Sequence, residues 1–502
     1  MEYRIKILKN EYWFGGAVDD GCKMPLDAES DYYLDCRVNS TYNQFNGLFV
    51  SSLGRFVYID GDAEITVKNG NFFFKGDFVY DYRDGYKTLK NAYLAAANKH
   101  FDAVGKSLDF SLFSPMYCTW SEMLNEPTEE KISEYARSIA NLGYPRSCIL
   151  IDDGWMKSNG DWNFAENKFK NPSGLVSDLH NLGFKVVLWV TPFIDFNAES
   201  FDELKAAAAL MRDRDGEVKR VEWWNGVSAL LDLSTSYARK WFGDKLDALM
   251  KNYGVDGFKF DAGDAMYYVD CDTEITPNEH SRLYAEFAAE YDVSELRACC
   301  GLGGYPIMQR LSDKRSDWSE KGLGSLIPNV LQAGLCGYPY VCADMVGGGQ
   351  LLDYKNVSGF DGEFYARSCE IATYFPLIQF SYAVWNRSGE IRSLIEKCLS
   401  DRNALKEYYG RLFKNAGKTS EPVVRSLEYE FPNLGYAKVM DEFMIGDEYL
   451  VAPVSEKGKF GRQVIFPAGA DWLCEASGKT YRGGEIQNVE ADVNSLPIFK
   501  RV

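Results

Sequence analysis

The chain has 502 residues, more than one ordinary domain needs, and its length fits one large barrel with smaller modules. A formal net charge of −18 argues against nucleic acid and anionic membrane surfaces as partners and favours a soluble protein acting on an uncharged substrate. Hydrophobic content of 46% supports a full core, while aromatics at 15% suit sugar-binding faces and aromatic-rich β-modules equally well.

Residues 1–85 alternate short apolar runs with turn signals, as in Leu48-Phe49-Val50 before Ser51-Ser52 and Phe56-Val57-Tyr58-Ile59 before Asp60-Gly61, which predicts an N-terminal β-sandwich. Residues 86–107 are rich in Ala, Leu and Lys and read as a connecting helix. From 108 to 410 the pattern becomes strand, loop, helix. Apolar runs at 112–118, 148–151, 185–191, 255–260, 295–299, 308–311, 338–342 and 372–380 alternate with helical stretches such as Glu129 to Leu142 and Tyr237 to Tyr253. Eight strand–helix units predict an α/β fold, a closed (β/α)8 TIM barrel, with an insertion over 196–235. Residues 411–502 read as a small C-terminal β-domain with strands at Leu427 to Phe431, Glu448 to Pro453, Gln463 to Phe466 and from Ile486 onward.

No apolar run approaches the roughly 18 residues needed to span a bilayer. The start, Met1-Glu2-Tyr3-Arg4-Ile5-Lys6, has no apolar signal core and no small-residue cleavage site, which favours the cytoplasm. The 12 cysteines form no C-x-x-C pair; Cys148, Cys336 and Cys342 lie in apolar runs and read as reduced core residues. Zinc spacing, phosphate-binding glycine loops and a serine-hydrolase elbow are all missing from the sequence, so neither a metal nor an organic cofactor is expected. Acid/base chemistry by carboxylates remains.

Barrel enzymes place catalytic groups at the C-terminal ends of strands. Three such ends carry acids: Ile151-Asp152-Asp153-Gly154-Trp155, Phe260-Asp261-Ala262-Gly263-Asp264 and Leu311-Ser312-Asp313. Glycoside cleavage needs two carboxylates, one to attack the anomeric carbon or activate water and one to protonate the leaving oxygen. Lys259, two residues before Asp261 on the same strand face, is expected to hold Asp261 ionised. Trp318 is expected to close over Asp313 and keep it protonated.

These motifs resemble glycoside hydrolase family 31, and within it the myogenesis-regulating glycosidase branch, over residues 113 to about 455. Gly257-Phe258-Lys259-Phe260-Asp261-Ala262-Gly263 is similar to the family's nucleophile motif, and Asp313 with Trp318 five residues later to its acid/base motif. Arg297, sixteen residues before Asp313, matches the transition-state arginine, and Asp152 the residue that binds the nonreducing sugar. Trp224-Asn225-Gly226, Asp344-Met345-Val346-Gly347-Gly348 and Gly446-Asp447-Glu448-Tyr449-Leu450-Val451-Ala452-Pro453 resemble further family segments.

The resemblance implies Asp261 and Asp313 as catalytic residues. It implies a sugar-binding set of Asp152, Asp153, Trp155, Trp189, Trp224, Lys259, Arg297, Trp318, Asp344 and Ser381. Two departures bear on the sugar: Asp264 stands where the family usually has Glu, and Ser381 near the usual His. The paired Asp152 and Asp153 also resemble family 36 α-galactosidases. The expected activity is a retaining α-glycosidase that favours α-galactosides. An α-glucosidase, an α-transglycosylase and a non-catalytic carbohydrate-binding relic stay open. The expected partner is an oligosaccharide or α-glycoside. The sequence leaves the oligomeric state open, a homo-oligomer included.

Overall fold

The structure is a computed structural model that describes residues 1–38, 44–101, 105–351, 353, 360–493 and 495–502. Residues 39–43 of the expected N-terminal module and 102–104 of the expected connecting helix lie outside the described residues.

The barrel is closed by eight parallel strands in chain order: Met116–Cys118, Cys148–Ile151, Lys185–Val190, Gly257–Phe260, Ser294–Leu296, Met308–Arg310, Val341–Met345 and Leu377–Phe380, the eighth pairing with the first through Gln379 and Met116. Each falls on one of the apolar runs expected from the sequence. Strands covered on both faces need apolar runs, and these are buried throughout except at Lys185, the first residue of the third strand. The intervening helices start where their caps dictate. Thr128 accepts from the Lys131 amide ahead of Glu129–Asn141, and Thr235 from the Ala238 amide ahead of Ser236–Tyr253, which ends at Gly254 with φ of 81°.

Ahead of the barrel, six strands form one antiparallel sheet, five along a continuous path and Tyr32–Asp35 pairing off it. The long hairpin Phe56–Lys68 and Asn71–Arg83 is its spine; the start of its first strand pairs with Phe45–Ser51 and the end with Tyr32–Asp35. The helix Leu89–His100 lays Leu89, Ala92, Tyr93, Ala96 and Ala97 into the core of this module. The insertion after the third barrel strand is a three-stranded sheet of Phe193–Asp195, Gly226–Leu230 and Val221–Trp223. Trp223 pairs with Gly226, so Trp224 and Asn225 form the tip of a tight hairpin.

In the C-terminal module the stretch expected as a strand at Leu427 to Phe431 is a helical turn, Leu427–Glu430. The Ser426 hydroxyl accepts from the Tyr429 amide, and Glu428 and Glu430 sit in the positive first turn. Five apolar-rich residues carry no period long enough to separate strand from helix, and the cap decides. The other expected strands appear as Tyr449–Val451, Gly461–Ile465 and Ile486–Glu490. All twelve cysteines are free thiols, with Cys148, Cys336 and Cys342 buried. Among the described residues no helix is long and apolar enough to cross a membrane.

Candidate active site

Side chains alternate along a strand, so strand register decides which ones meet in the bore. Lys259 sits beside Trp189 and Glu295; Glu295 beside Met308; Arg310 beside Cys342; Gln379 beside Met116; Cys118 beside Leu150. Steps of two residues from these partners lead to Asp152, Asp261, Arg297, Asp344 and Ser381. One ring at the C-terminal end of the barrel therefore collects most of the expected residues, together with Arg310 and Glu295, which the sequence reading did not single out.

Asp261 follows the fourth strand. Its Oδ1 accepts from Arg310 Nη2 at 2.9 Å and its Oδ2 from Trp189 Nε1 at 3.0 Å, while Arg297 Nη1 lies 3.5 Å from Oδ1. Burial pushes this carboxyl up, but the charges of Arg297, Arg310 and Lys259 prevail and hold it well below the usual carboxylate range. Lys259 acts on Asp261 through its charge and not by contact: its Nζ donates to Asp152 Oδ2 at 2.7 Å across the bore, and arginines make the direct contacts to Asp261. The chain leaves Asp261 through Ala262 at φ 55° and Gly263 at φ 74°. A Cβ on Gly263 would stand 2.1 Å from the Tyr284 ring, so that turn admits glycine alone. The Tyr284 hydroxyl donates to the Asp261 carbonyl at 2.9 Å, and Arg297 Nη2 to Asp264 at 2.6 Å.

Asp313 lies three residues beyond the sixth strand, with 31% of its side chain exposed, the most accessible carboxylate on the arginine pair. Arg310 Nη1 donates to its Oδ1, and Arg297 Nη1 is 3.8 Å from its Oδ2. One arginine nitrogen therefore faces both Asp261 and Asp313. The loop is fastened from the N-terminal module: Asp19 accepts from Ser312 Oγ at 2.8 Å, Lys314 Nζ at 3.2 Å and Asn329 Nδ2 at 3.1 Å. The Trp318 ring meets Phe364 edge-on at 5.7 Å, and the guanidinium groups of Arg310 and Arg297 face Asp313.

Asp152 and Asp153 are both buried. Asp152 also accepts from Cys118 Sγ at 3.1 Å, and Asp153 Oδ2 from Asn125 Nδ2 at 2.8 Å and Asn225 Nδ2 at 2.6 Å. Burial pushes the Asp153 carboxyl up to about 6; the Asn225 bond opposes this, and the charges of Asp152 and Asp261 add to it. The tip of the insertion hairpin thus reaches the second strand's acid. Trp224 beside Asn225 faces the Arg297 guanidinium at 5.7 Å.

Trp155 does not line the pocket. Gly154 at φ 91° turns the chain so that the indole is wholly buried against Phe164, its Nε1 donating to the Trp189 carbonyl at 2.8 Å. Asp344 is the next-to-last residue of the seventh strand, at φ 78°, its Oδ1 3.3 Å from Arg310 Nη1. Burial raises its carboxyl to about 7 against the pull of Arg310. Ser381 Oγ accepts from the Ser121 amide at 2.7 Å. Among the described residues no group of three or more His, Cys, Asp or Glu is placed to hold a metal ion.

A pocket that presents two carboxylates to shared arginines at a barrel's C-terminal end is where a family signature belongs. Residues 113–409 match the glycosyl hydrolases family 31 TIM-barrel domain, and residues 420–502 the family's C-terminal domain. The chain belongs to glycoside hydrolase family 31. It is 35% identical over 399 residues to the myogenesis-regulating glycosidase of Mus musculus, covering 76% of this chain and 54% of that protein. It is 24% identical over 493 residues to alpha-glucosidase 2 of Bacillus thermoamyloliquefaciens, covering 87% of this chain and 60% of that one. The chain therefore spans little more than half the length of these two relatives. The family 31 dextranase of Flavobacterium johnsoniae superposes over the whole chain and 66% of its own, with a TM-score of 0.85 at 21% identity.

Proposed function

We propose that this family 31 chain is a retaining α-glycosidase that releases a terminal α-linked hexose by double displacement. The observation that carries the reading is the shared fork: Arg310 binds Asp261 through one terminal nitrogen and Asp313 through the other. Asp261, buried and held ionised, attacks the anomeric carbon. The glycosidic C–O bond breaks, and its electron pair goes to the leaving oxygen, which takes a proton from Asp313. Water then loses a proton to Asp313 and attacks the same carbon, and the ester to Asp261 breaks. Arg297 near Trp224 borders the space in which positive charge develops. Nitrophenyl α-glycosides, followed by NMR of the released anomer, test this reading. An α-product from an α-substrate supports it, and an inverted product or silence across the panel overturns it. Product analysis with excess acceptor separates hydrolysis from transglycosylation.

For the sugar, the relatives named above act, by their names, as an α-glucosidase and a dextranase, which favours an α-glucoside-type substrate. The α-galactoside reading rests on Asp153, placed by Asn125 and Asn225 beside Asp152. A buried polar group left unpaired by the wrong epimer costs about 1–3 kcal/mol, a preference of roughly ten- to hundredfold. Asp153→Ala is expected to change the galactoside-to-glucoside ratio of kcat/KM by that much, and an unchanged ratio removes Asp153 from epimer selection.

Asp19 gives a further expected result. It anchors both neighbours of Asp313, so Asp19→Ala frees the acid/base loop. Because displacement of a catalytic group by about 1 Å can cost a hundredfold, kcat should fall by roughly ten- to hundredfold with a smaller change in KM. Steady-state kinetics that match the unmodified chain would show the loop to be held elsewhere.

A further inference from the structure

Arg310 ends the sixth barrel strand and is 1% exposed. Besides Asp261 at 2.9 Å and Asp313, its Nη1 donates to Asp344 Oδ1 at 3.3 Å, and its Nε lies 3.4 Å from Glu295 Oε1. Four carboxylates thus surround one guanidinium. Neutralising buried acids does not require this arrangement, since Lys259 neutralises Asp152 with a single ammonium at 2.7 Å. A planar guanidinium adds geometry: carboxylates on its two terminal nitrogens are fixed relative to each other.

We propose, resting on the retaining-glycosidase reading, that Arg310 is a positioning residue that sets the spacing and charge of Asp261 and Asp313. Arrival of the leaving-group oxygen moves its Nη1 from Asp313 to Asp344. Asp313, freed from the fork and 31% exposed, takes a proton from solvent and passes it to the leaving oxygen, returning to the carboxylate form, while ionised Asp344 serves as the counter-ion of Arg310. Asp344 is placed for this, already within reach of Nη1 and fixed by a left-handed backbone at φ 78°. Its carboxyl, raised to about 7 by burial with a further push from the charge of Asp313, is eased toward ionisation by the guanidinium during the interval in which Asp313 carries its proton.

The other charged and titratable groups around the fork come from every neighbouring strand. Lys259 is on the fourth strand, which Asp261 follows, and Asp264 and Arg297 face Asp261 from the loop after that strand and from just beyond the fifth. Asp152 and Asp153 directly follow the second strand, and Tyr284 donates to the Asp261 carbonyl. Glu295, Asp344, Cys299 and Cys342 face Arg310 itself. Lys314 follows Asp313 and is paired with Asp19. Removing Arg310 leaves Arg297 and Lys259 as the cations acting on Asp261.

The test compares the unmodified chain, Arg310→Gln and Arg310→Lys in kcat/KM against pH, using an α-glycosyl fluoride. Fluoride needs no proton to leave, so the acidic limb reports ionisation of Asp261. With Gln, that limb should move up by about 1–3 pH units, the shift an opposite charge at 4–6 Å produces. With Lys, the limb should stay in place while kcat falls about tenfold or more, because one ammonium cannot hold two carboxylates apart. A Gln limb coincident with that of the unmodified chain overturns the charge role, and a Lys variant with unchanged kcat overturns the positioning role. If circular dichroism shows the Gln variant unfolded, the Lys variant decides alone: a lowered kcat with an unmoved limb supports the proposal, and unchanged kcat overturns it. Inactivity of the unmodified chain toward every α-glycosyl fluoride overturns the glycosidase reading and this inference with it; activity with an unmoved Gln limb overturns this inference alone.

Discussion

Asp261→Asn is expected to lower turnover at least about 10⁴-fold, some 5–6 kcal/mol of transition-state stabilisation. The amide keeps the shape of the carboxylate and its one oxygen can still accept from Arg310, so the variant disturbs the fold around it less than truncation does. It cannot form the ester to the anomeric carbon, which is the role proposed for Asp261. Asp261→Ala is the harsher variant: it leaves Arg297, Arg310 and Lys259 short of a buried counter-charge, and loss of one partner of a buried pair costs about 3–5 kcal/mol of stability. The Asn variant therefore separates chemistry from folding. Two measurements check it: kcat on a nitrophenyl α-glycoside, and mass spectrometry of the protein after a slow fluoro-sugar substrate. The unmodified chain should gain the mass of one sugar and the Asn variant none. Near-normal turnover, or a sugar adduct elsewhere, would remove Asp261 from the role of nucleophile.

The barrel was legible because a strand packed on both faces has to be a continuous apolar run, and eight of those recur at helix-length spacing. Asp261 and Asp152 were legible because each directly follows such a run. Their partners were harder to see. Lys259 and Asp261 share a face, and from sequence alone that looked like a pair; only closure of the barrel, which sets the end of the second strand across the bore, sends the ammonium to Asp152. Arg310 and Glu295 are separated from Asp261 by intervening strands and loops. Their signal was alternation: Arg310 is two residues beyond Met308, and Glu295 two before Arg297, each on the inward parity of its strand. A charged residue on inward parity at a strand's last position belongs in the bore, because outside it would meet the helices.

Other misses have local causes. Trp155 reads as a pocket wall from its distance to Asp153, but one left-handed glycine, Gly154, turns it behind the strand. A Cβ at Gly154 would stand 2.4 Å from the Asn125 carbonyl, so the turn also brings Asn125 close enough to bond Asp153. Asn225 lies in the Trp224-Asn225-Gly226 segment that the sequence already marked, but only the hairpin tip shows that it bonds Asp153. Asp19 reaches the site from the N-terminal module, and no pattern within the barrel sequence reports it.

Asp313→Ala should produce an effect that depends on the leaving group, and that dependence is the stronger evidence for its role. A general acid contributes about 10²–10⁴-fold where the leaving oxygen needs a proton. An unactivated disaccharide should therefore lose about that much, whereas an α-glycosyl fluoride, which leaves unprotonated, should lose far less in its first step. The second step still lacks its base, so the glycosyl-enzyme should accumulate and turnover should show a burst. Azide, which needs no base to attack, should restore turnover in the variant and give an α-configured glycosyl azide, the configuration that two successive displacements at one carbon produce. The same logic fixes the geometry: a retaining pair stands about 5–5.5 Å apart once a sugar is bound, against roughly 6.5–9.5 Å where a water must fit between the inverting pair. Equal losses with fluoride and disaccharide would mean that Asp313 supports the pocket without donating the proton. A β-configured azide would mean that a single displacement operates, and the covalent role of Asp261 would fall with it.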